Sequence, residues 1–333
     1  MSEIRKSVLI TGGAGYVGHV LTPRLLSKGY HVTVFDKLWY GARLPNDPKL
    51  RIVKGDIRDT AHIAAALEGI DAVLHLACIS NDASFELDEK LSETVNYDCF
   101  EPLVVAAKKA RVKRFVYCSS SSVYGVSNSP DVTEEHPLVP LTLYNKFKGM
   151  CEPVLWKHKA DDFTCVTVRP ATICGYSPRT RLDLSVNILT NHAMNKGVIT
   201  VFGGKQMRPN LHIEDMVDAY RLMLTAPHDK IHGETFNIGF ENHSIADLAS
   251  MVKSVVETNG RRDIGIVTTP SDDNRSYHVN SDKVRRVLGF APKRTVEDAV
   301  RDLVRAFGNH LLDDSFDDDW YYNVRTMKKL GAR

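Results

Sequence analysis

Short apolar runs and amphipathic stretches alternate through the first half of the chain. The runs "SVLI" (7–10), "HVTVFD" (31–36), "RIVKGD" (51–56), "AVLHLA" (72–77), "RFVYCS" (114–119) and "FTCVTVRP" (163–170) are four to eight residues long and rich in β-branched side chains. Between them, "YVGHVLTPRLLSKG", "TAHIAAALEG", "VNYDCFEPLVVAAKKA" and "LYNKFKGMCEPVLWKH" space their apolar positions three and four residues apart. Near-continuous apolar strands alternating with helices predict an α/β fold, with a parallel sheet covered by helices on both faces. In such a sheet ligands sit beyond the carboxyl ends of the strands, so the residues just after each strand carry the functional weight.

After about residue 176 the pattern loosens. "SPRTRLDLSVNILTNHAMNKG" reads as a loop and a helix. "TVFGGKQMRPNLHIEDMVDAYRLML" reads as a short strand, a Gly-Gly turn, a basic loop and another helix. "ETFNIG" is one more buried strand, and "SIADLASMVKSVVETNG" a strongly periodic helix. The tail "LLDDSFDDDWYYNVRTMKKLGAR" is acidic, then aromatic, then basic. Its acidic block reads as a solvated face or frayed end, while Trp320, Tyr321 and Tyr322 suggest packing back onto the body.

Composition narrows the class. The chain has 333 residues and is 43% hydrophobic, enough for a large core, and its net charge of +2 is too balanced for a nucleic-acid groove. No run approaches the roughly 18 apolar residues of a membrane helix, and the N-terminal apolar run is too short for a signal sequence. Cys78, Cys99, Cys118, Cys151, Cys165 and Cys174 form no metal-binding spacing and read as reduced thiols packed as small hydrophobes, as in a cytoplasmic protein. No metal is expected.

"VLITGGAGYVGHVL" places glycines between a strand and a helix. Gly13, Gly15 and Gly18 fit one phosphate-binding spacing; Gly12, Gly15 and Gly18 fit a wider one. In both, missing Cβ atoms let the backbone approach a pyrophosphate, and the helix N-terminus offers free N–H groups to it. Asp36 ends the second strand 18 residues after Gly18, close to the roughly 20 expected for the acid that holds the adenosine ribose. A carboxylate there favours NAD over NADP. This is the signature of a Rossmann-type, doubly wound sheet. Asp56, after the third strand, suits either a contact to adenine or an N-cap of the next helix.

Tyr144 and Lys148, at i and i+4, share one helix face, whereas Lys146 points away. An ammonium near a phenol with a reference pKa near 10 favours phenolate, which makes Tyr144 a candidate acid–base group. Pro153 in the same helix is expected to kink it.

Taken together, "TGGAGYVG" (11–18), Asp36, "GDIRD" (55–59), "LHLAC" (74–78), "VN" (95–96), "SSSSVYG" (119–125), "YNKFK" (144–148), "RP" (169–170), "RPNLHIED" (208–215) and "SDKVRRVLGFAPK" (281–293) resemble the extended short-chain dehydrogenase/reductase family, in its branch of NAD-dependent nucleotide-sugar epimerases and dehydratases. The resemblance covers nearly the whole chain. It implies an NAD-binding domain of residues 1–178 plus roughly 209–242, and a smaller C-terminal α/β domain for the nucleotide sugar, 179–208 plus 243–333. It implies that NAD lies against Gly12, Gly15, Tyr16, Val17 and Gly18 of the glycine-rich turn. Further along, the implied contacts are Asp36, Asp56 and Ile57, the Leu76–Ala77–Cys78 loop, Asn96, Ser119, Tyr144, Lys148 and Pro170. Ser120, four residues before Tyr124, takes a catalytic role beside Tyr144, with Ser121 near the sugar. Arg208 and Asn187 meet the substrate diphosphate, and Arg275 the nucleotide. Arg179 and Arg181, judged by residue type alone, read as surface charges, and His212 as a residue that orients its loop.

Within that branch, dehydratases carry an acid pair where this chain has Ser121 and Ser122. Serine hydroxyls cannot perform the proton transfers of an elimination. The expected activity is therefore epimerisation of a nucleoside-diphosphate sugar, at C4, through a transient 4-keto sugar. A nucleotide-sugar 4-ketoreductase is the alternative, and a non-catalytic NAD sensor a weaker one. The resemblance further implies a homodimer, with the 96–110 and 144–158 helices at the interface.

Overall fold

The computed structural model describes residues 6–127, 129, 131–271, 276 and 278–331. Its strands are β1 (Ser7–Thr11), β2 (His31–Asp36), β3 (Leu50–Lys54), β4 (Ala72–His75), β5 (Arg114–Cys118), β6 (Thr164–Pro170), β7 (Thr172–Cys174), β8 (Val198–Phe202), β9 (Met207–His212), β10 (Glu234–Ile238), β11 (Glu241–Ser244) and β12 (Gly265–Thr269). Seven of them form one sheet in the order β10-β6-β5-β4-β1-β2-β3, and every pair in it is parallel. The order reverses between β1 and β4, so a crevice opens beyond Thr11 and His75, where a doubly wound sheet binds its ligand.

Each face of this sheet has its own apolar layer. On one, Val8, Ile10, Val34, Leu74 and Val116 pack with Leu21 and Leu25 of helix Gly18–Ser27 and with Met216, Val217 and Tyr220 of helix Ile213–Thr225. On the other, Leu9, Phe35, Val73, Phe115 and Tyr117 pack with Phe100, Leu103 and Val104 of helix Phe100–Lys109 and with Cys151 and Leu155 of helix Leu143–Lys157. Strands buried on both faces explain why the sequence shows continuous apolar runs rather than alternation.

Several segments differ from their sequence reading. The helix expected from residue 95 begins at Phe100, after a π-helical turn at Thr94–Asp98 that turns Asn96 inward. Pro153 lies inside helix Leu143–Lys157, where its ring removes one backbone N–H donor from the ladder. The "basic loop" is strand β9, centred between β11 and β7 in a three-stranded sheet. The tail agrees with its reading: Asp313, Asp314 and Asp317 are exposed, Tyr321 and Tyr322 are buried against the body, and a helix follows at Asn323–Leu330. Among the described residues no helix is long and apolar enough to cross a membrane.

Candidate active site

A cavity of about 540 Å³ lies over the crevice between β1 and β4. Its floor is the glycine-rich turn. Gly12 has φ +72°, and a Cβ there would come within 2.7 Å of the Ala77 backbone, so only glycine lets the loops after β1 and β4 close against each other. A Cβ on Gly18 would meet the Gly13 carbonyl oxygen at 2.2 Å. Gly12, Gly15 and Gly18 line the cavity, whereas Gly13 packs against Val34 beneath it. The wider of the two glycine spacings is therefore the one that faces the cavity. Asp36 ties the turn to β2: its carboxylate accepts from the backbone N–H of Ala14 at 3.0 Å and of Leu38 at 2.7 Å. Burial pushes its pKa up, against those two bonds.

Asp56 also lines the cavity. Its carboxylate pairs with Arg58 at 2.7 Å and Lys37 at 2.5 Å, and the Arg58 hydrogen bond holds its pKa well below the usual range. The N-cap of the next helix is Asp59, which accepts from the His62 backbone N–H, so the capping role considered for Asp56 belongs to its neighbour.

At the end of β5 the four serines divide their tasks. Ser119 Oγ donates to Glu152 Oε1 at 2.7 Å. Glu152 is buried with Arg169, whose Nε and Nη2 reach its two oxygens at 3.0 and 2.6 Å. Arg169 also donates to the Tyr124 hydroxyl at 2.7 Å, which in turn donates to Asn237 at 2.7 Å. Ser120 Oγ lies 2.6 Å from Ser122 Oγ, and Ser122 donates to Asn145 Oδ1 at 2.5 Å. Ser121 is buried and lines the cavity.

Tyr144 and Lys148 face the cavity from the first turns of their helix, and Lys146 is exposed. Lys148 Nζ donates to the Cys118 carbonyl at 2.7 Å, which fixes the ammonium beside the strand end. Burial pushes the Tyr144 phenol above its ordinary pKa, against the opposing pull of Lys148 and Arg181. Lys148 is itself raised: burial pulls it down, but the surrounding Cys78, Tyr144 and Cys118 outweigh that.

Of the residues singled out in the sequence, Gly12, Gly15, Tyr16, Val17, Gly18, Asp36, Asp56, Ile57, Leu76, Ala77, Cys78, Ser119, Ser120, Ser121, Tyr144, Lys148, Pro170 and Arg208 line this one cavity. Two do not. Asn96 is buried behind the wall, where it accepts from Ile79 N–H at 2.8 Å and donates to Ile79 C=O at 2.9 Å, locking the Cys78 loop in place. Asn187, expected at the diphosphate, is fully buried; it accepts from Gly175 N–H and donates to the Tyr16 hydroxyl and the Arg181 carbonyl. Its amide is consumed in holding the 175–181 segment to the glycine-rich turn. Arg275 lies outside the described residues. His212 caps helix Ile213–Thr225 and meets Asp302 at 3.2 Å, as expected of an orienting residue.

Other lining residues were missed or misread. Arg179 and Arg181, read as surface charges, are 1% and 8% exposed and face the cavity. Arg181 pairs with both oxygens of Asp183, at 2.9 and 3.1 Å, and donates to Ser80 at 3.1 Å. Cys78 and Cys118 line the cavity rather than filling the core, unlike the four buried thiols. Trp39 and Tyr40 come from the loop after β2, and Asn323 and Met327 from the C-terminal helix.

The model of the NAD dependent epimerase/dehydratase family matches residues 8–239. The chain belongs to that family. UDP-glucose 4-epimerase of Lactobacillus helveticus is 31% identical over 325 residues, spanning 88% of this chain and 94% of the relative. dTDP-glucose 4,6-dehydratase of an Actinoplanes species is 26% identical over 314 residues, spanning 89% and 96%. Among solved structures, MoeE5 in complex with UDP-glucuronic acid and NAD superposes with a TM-score of 0.80 at 25% identity, over 91% of this chain and 99% of that one. NAD is the family's cofactor, and the residues present fit it: a left-handed glycine at the strand end, a helix N-terminus behind it and an acid closing β2.

Proposed function

We propose that this member of the family epimerises a nucleoside-diphosphate sugar at C4, through a transient 4-keto sugar, with Tyr144 as the acid–base group. Kinship with UDP-glucose 4-epimerases supports an NAD-dependent sugar epimerase. The observation that carries the finer reading is the makeup of the β5 end. Ser120, Tyr144 and Lys148 converge on the cavity, while positions 121 and 122, beside them, carry hydroxyls and no carboxylate. The Ser122 hydroxyl is engaged with Ser120 and Asn145. A dehydration needs an acid and a base of suitable strength at those positions.

NAD, held by the glycine-rich turn and Asp36, would supply the acceptor and then the donor of the hydride exchanged with the sugar carbon. Tyr144, as phenolate, accepts the proton of the C4 hydroxyl and later gives it back to the inverted alcohol. Lys148 and Arg181 act against the burial that favours neutral phenol, and a positively charged nicotinamide adds to their effect. Ser120 hydrogen-bonds the same substrate oxygen, and Arg208, from β9, meets the diphosphate. Between the two hydride steps the 4-keto sugar turns about its pyrophosphate and presents its other face.

The test is a screen of nucleotide sugars with NAD-loaded protein, reading product stereochemistry by NMR. Expected are an inverted C4 centre and no net change in NADH absorbance. Stoichiometric NADPH consumption, or elimination of water, refutes the reading. Tyr144→Phe should lower turnover about 10²–10⁴-fold with NAD affinity retained. We further infer the two-part division given above, a homodimer through the 96–110 and 144–158 helices, checked by light scattering, and a cytoplasmic setting in keeping with six free thiols.

A further inference from the structure

Arg179 is an arginine enclosed without a counter-charge. It is 1% exposed. Its guanidinium lies 3.9 Å over the Tyr40 ring, and Nη2 donates to Asn323 Oδ1 at 2.6 Å. Its Nε is buried with no hydrogen-bond partner. Among the described residues no carboxylate lies within ion-pair distance of it. Asp183, the acid of the same segment, is already held by both sides of the Arg181 fork. Burial and the neighbouring Arg181 charge pull the Arg179 pKa down to about 10, against Tyr40, Asp183 and Asp36.

A buried charge lacking a partner is costly and persists only where something else repays it. Here the unfilled donor belongs to a side chain that lines the cavity. The segment carrying it is bolted to the glycine-rich turn: Ser177 Oγ donates to the Tyr16 carbonyl at 2.8 Å, and the Tyr16 hydroxyl to the Gly175 carbonyl at 2.6 Å. Arg179 therefore lines the same cavity as the turn that presents backbone N–H groups to phosphate, on a segment bonded to that turn, and its field reaches Asp36. Arg181, two residues on, acts instead on Tyr144.

We propose that Arg179 is a ligand of the cofactor's pyrophosphate, closing the phosphate cradle from the side opposite the glycine-rich turn, with Tyr40 and Asn323 holding its guanidinium in place. The planar fork suits two phosphate oxygens, and the ligand brings the missing negative charge. The C-terminal helix, through Asn323, is thereby part of the cofactor site. Asn323 also donates to Ser80 at 2.9 Å, so it joins Arg179 to the loop after β4. The inference depends on NAD as cofactor and is independent of the sugar.

The same chemistry exists in the substrate diphosphate, so the test compares ligands. NAD, adenosine and UDP are titrated into nucleotide-stripped wild type, Arg179→Met and Asn323→Ala by calorimetry. Arg179→Met should weaken NAD about ten- to hundredfold, as loss of a charged hydrogen-bonding pair predicts. Adenosine and UDP should stay within twofold, and the ligand-free variant should melt no earlier than wild type, because an unpaired buried charge has been removed. NAD affinity within twofold of wild type in the folded variant overturns the proposal, as does loss of UDP binding in place of NAD binding. If Arg179→Met does not fold, Asn323→Ala decides. It should weaken NAD roughly three- to tenfold with adenosine unchanged, and unaltered NAD affinity, or an equal loss with adenosine, overturns the proposal.

Discussion

Replacing Glu152 by alanine strips the buried Arg169 of its only carboxylate ion-pair partner among the described residues, and takes from Ser119 the acceptor of its hydroxyl. Both ionised groups are enclosed, at 1% and 4% exposure, and joined by two bonds of 2.6 and 3.0 Å. Breaking one side of such a pair leaves a buried charge uncompensated, at a cost of about 3–5 kcal/mol. The lost Ser119 bond adds about 1 kcal/mol. For a chain of this size that is a fall in Tm of roughly 5–15 °C. Urea unfolding followed by circular dichroism reads the cost from the midpoint at constant slope. The double variant Glu152→Met/Arg169→Met removes both charges and should recover most of the loss, because apolar replacement of a whole buried pair is near neutral. The damage also reaches function: Ser119 precedes Ser120, so a loosened strand end should lower kcat more than it raises KM. A Glu152→Ala protein within about 1 kcal/mol of wild type, or a double variant no better than the single one, would refute this account of the pair.

Two further outcomes follow from geometry already described. Gly18→Ala puts a methyl 2.2 Å from the Gly13 carbonyl oxygen, so the turn must open and NAD affinity should drop at least about tenfold by titration; an unchanged Kd would show that the turn adjusts. His75 is enclosed beside Thr11 Oγ1, at 2.7 Å, and burial pushes its pKa down to about 3. The unfolded chain binds a proton below about pH 6.5 that the folded chain refuses. Its contribution is complete above that pH and is lost on acidification, by about 2 kcal/mol at pH 5. The change in urea midpoint between pH 7.5 and 5 should shrink in His75→Gln, and an equal change in both proteins would count against a neutral buried imidazole.

The inner strands of the seven-stranded sheet were legible because both their faces are buried, which writes them as apolar runs; edge strand β3 is largely exposed and owes its reading to Ile52 and Val53 alone. Strand β9 was not legible. Met207, Arg208, Pro209 and Asn210 look like a polar loop, and only pairing with β7 and β11 makes them a strand. That the glycine-rich turn, Asp36, Tyr144 and Lys148 face one cavity could be read from spacing because each set lies within one or two elements. Arg179 could not: charged residues are mostly exposed, and its enclosure depends on Tyr40 and Asn323, 139 and 144 residues away. Asn187 misled for the opposite reason. An asparagine amide serves a ligand or a backbone equally well, and here the backbone claims it.

Asn323 and Met327 share a cavity with Gly12, so the glycine-rich turn and the C-terminal helix meet at one cavity. The parallel sheet is complete by Ile238, some eighty-five residues before Asn323 joins it. All strands of the sheet thus lie in the chain up to Ile238, whereas one wall of the pocket comes from the C-terminal helix. A chain clipped within its last turns would keep its core and lose one wall of the site. Cofactor retention would then report that the tail is present and docked, something a melting curve of the sheet would not register.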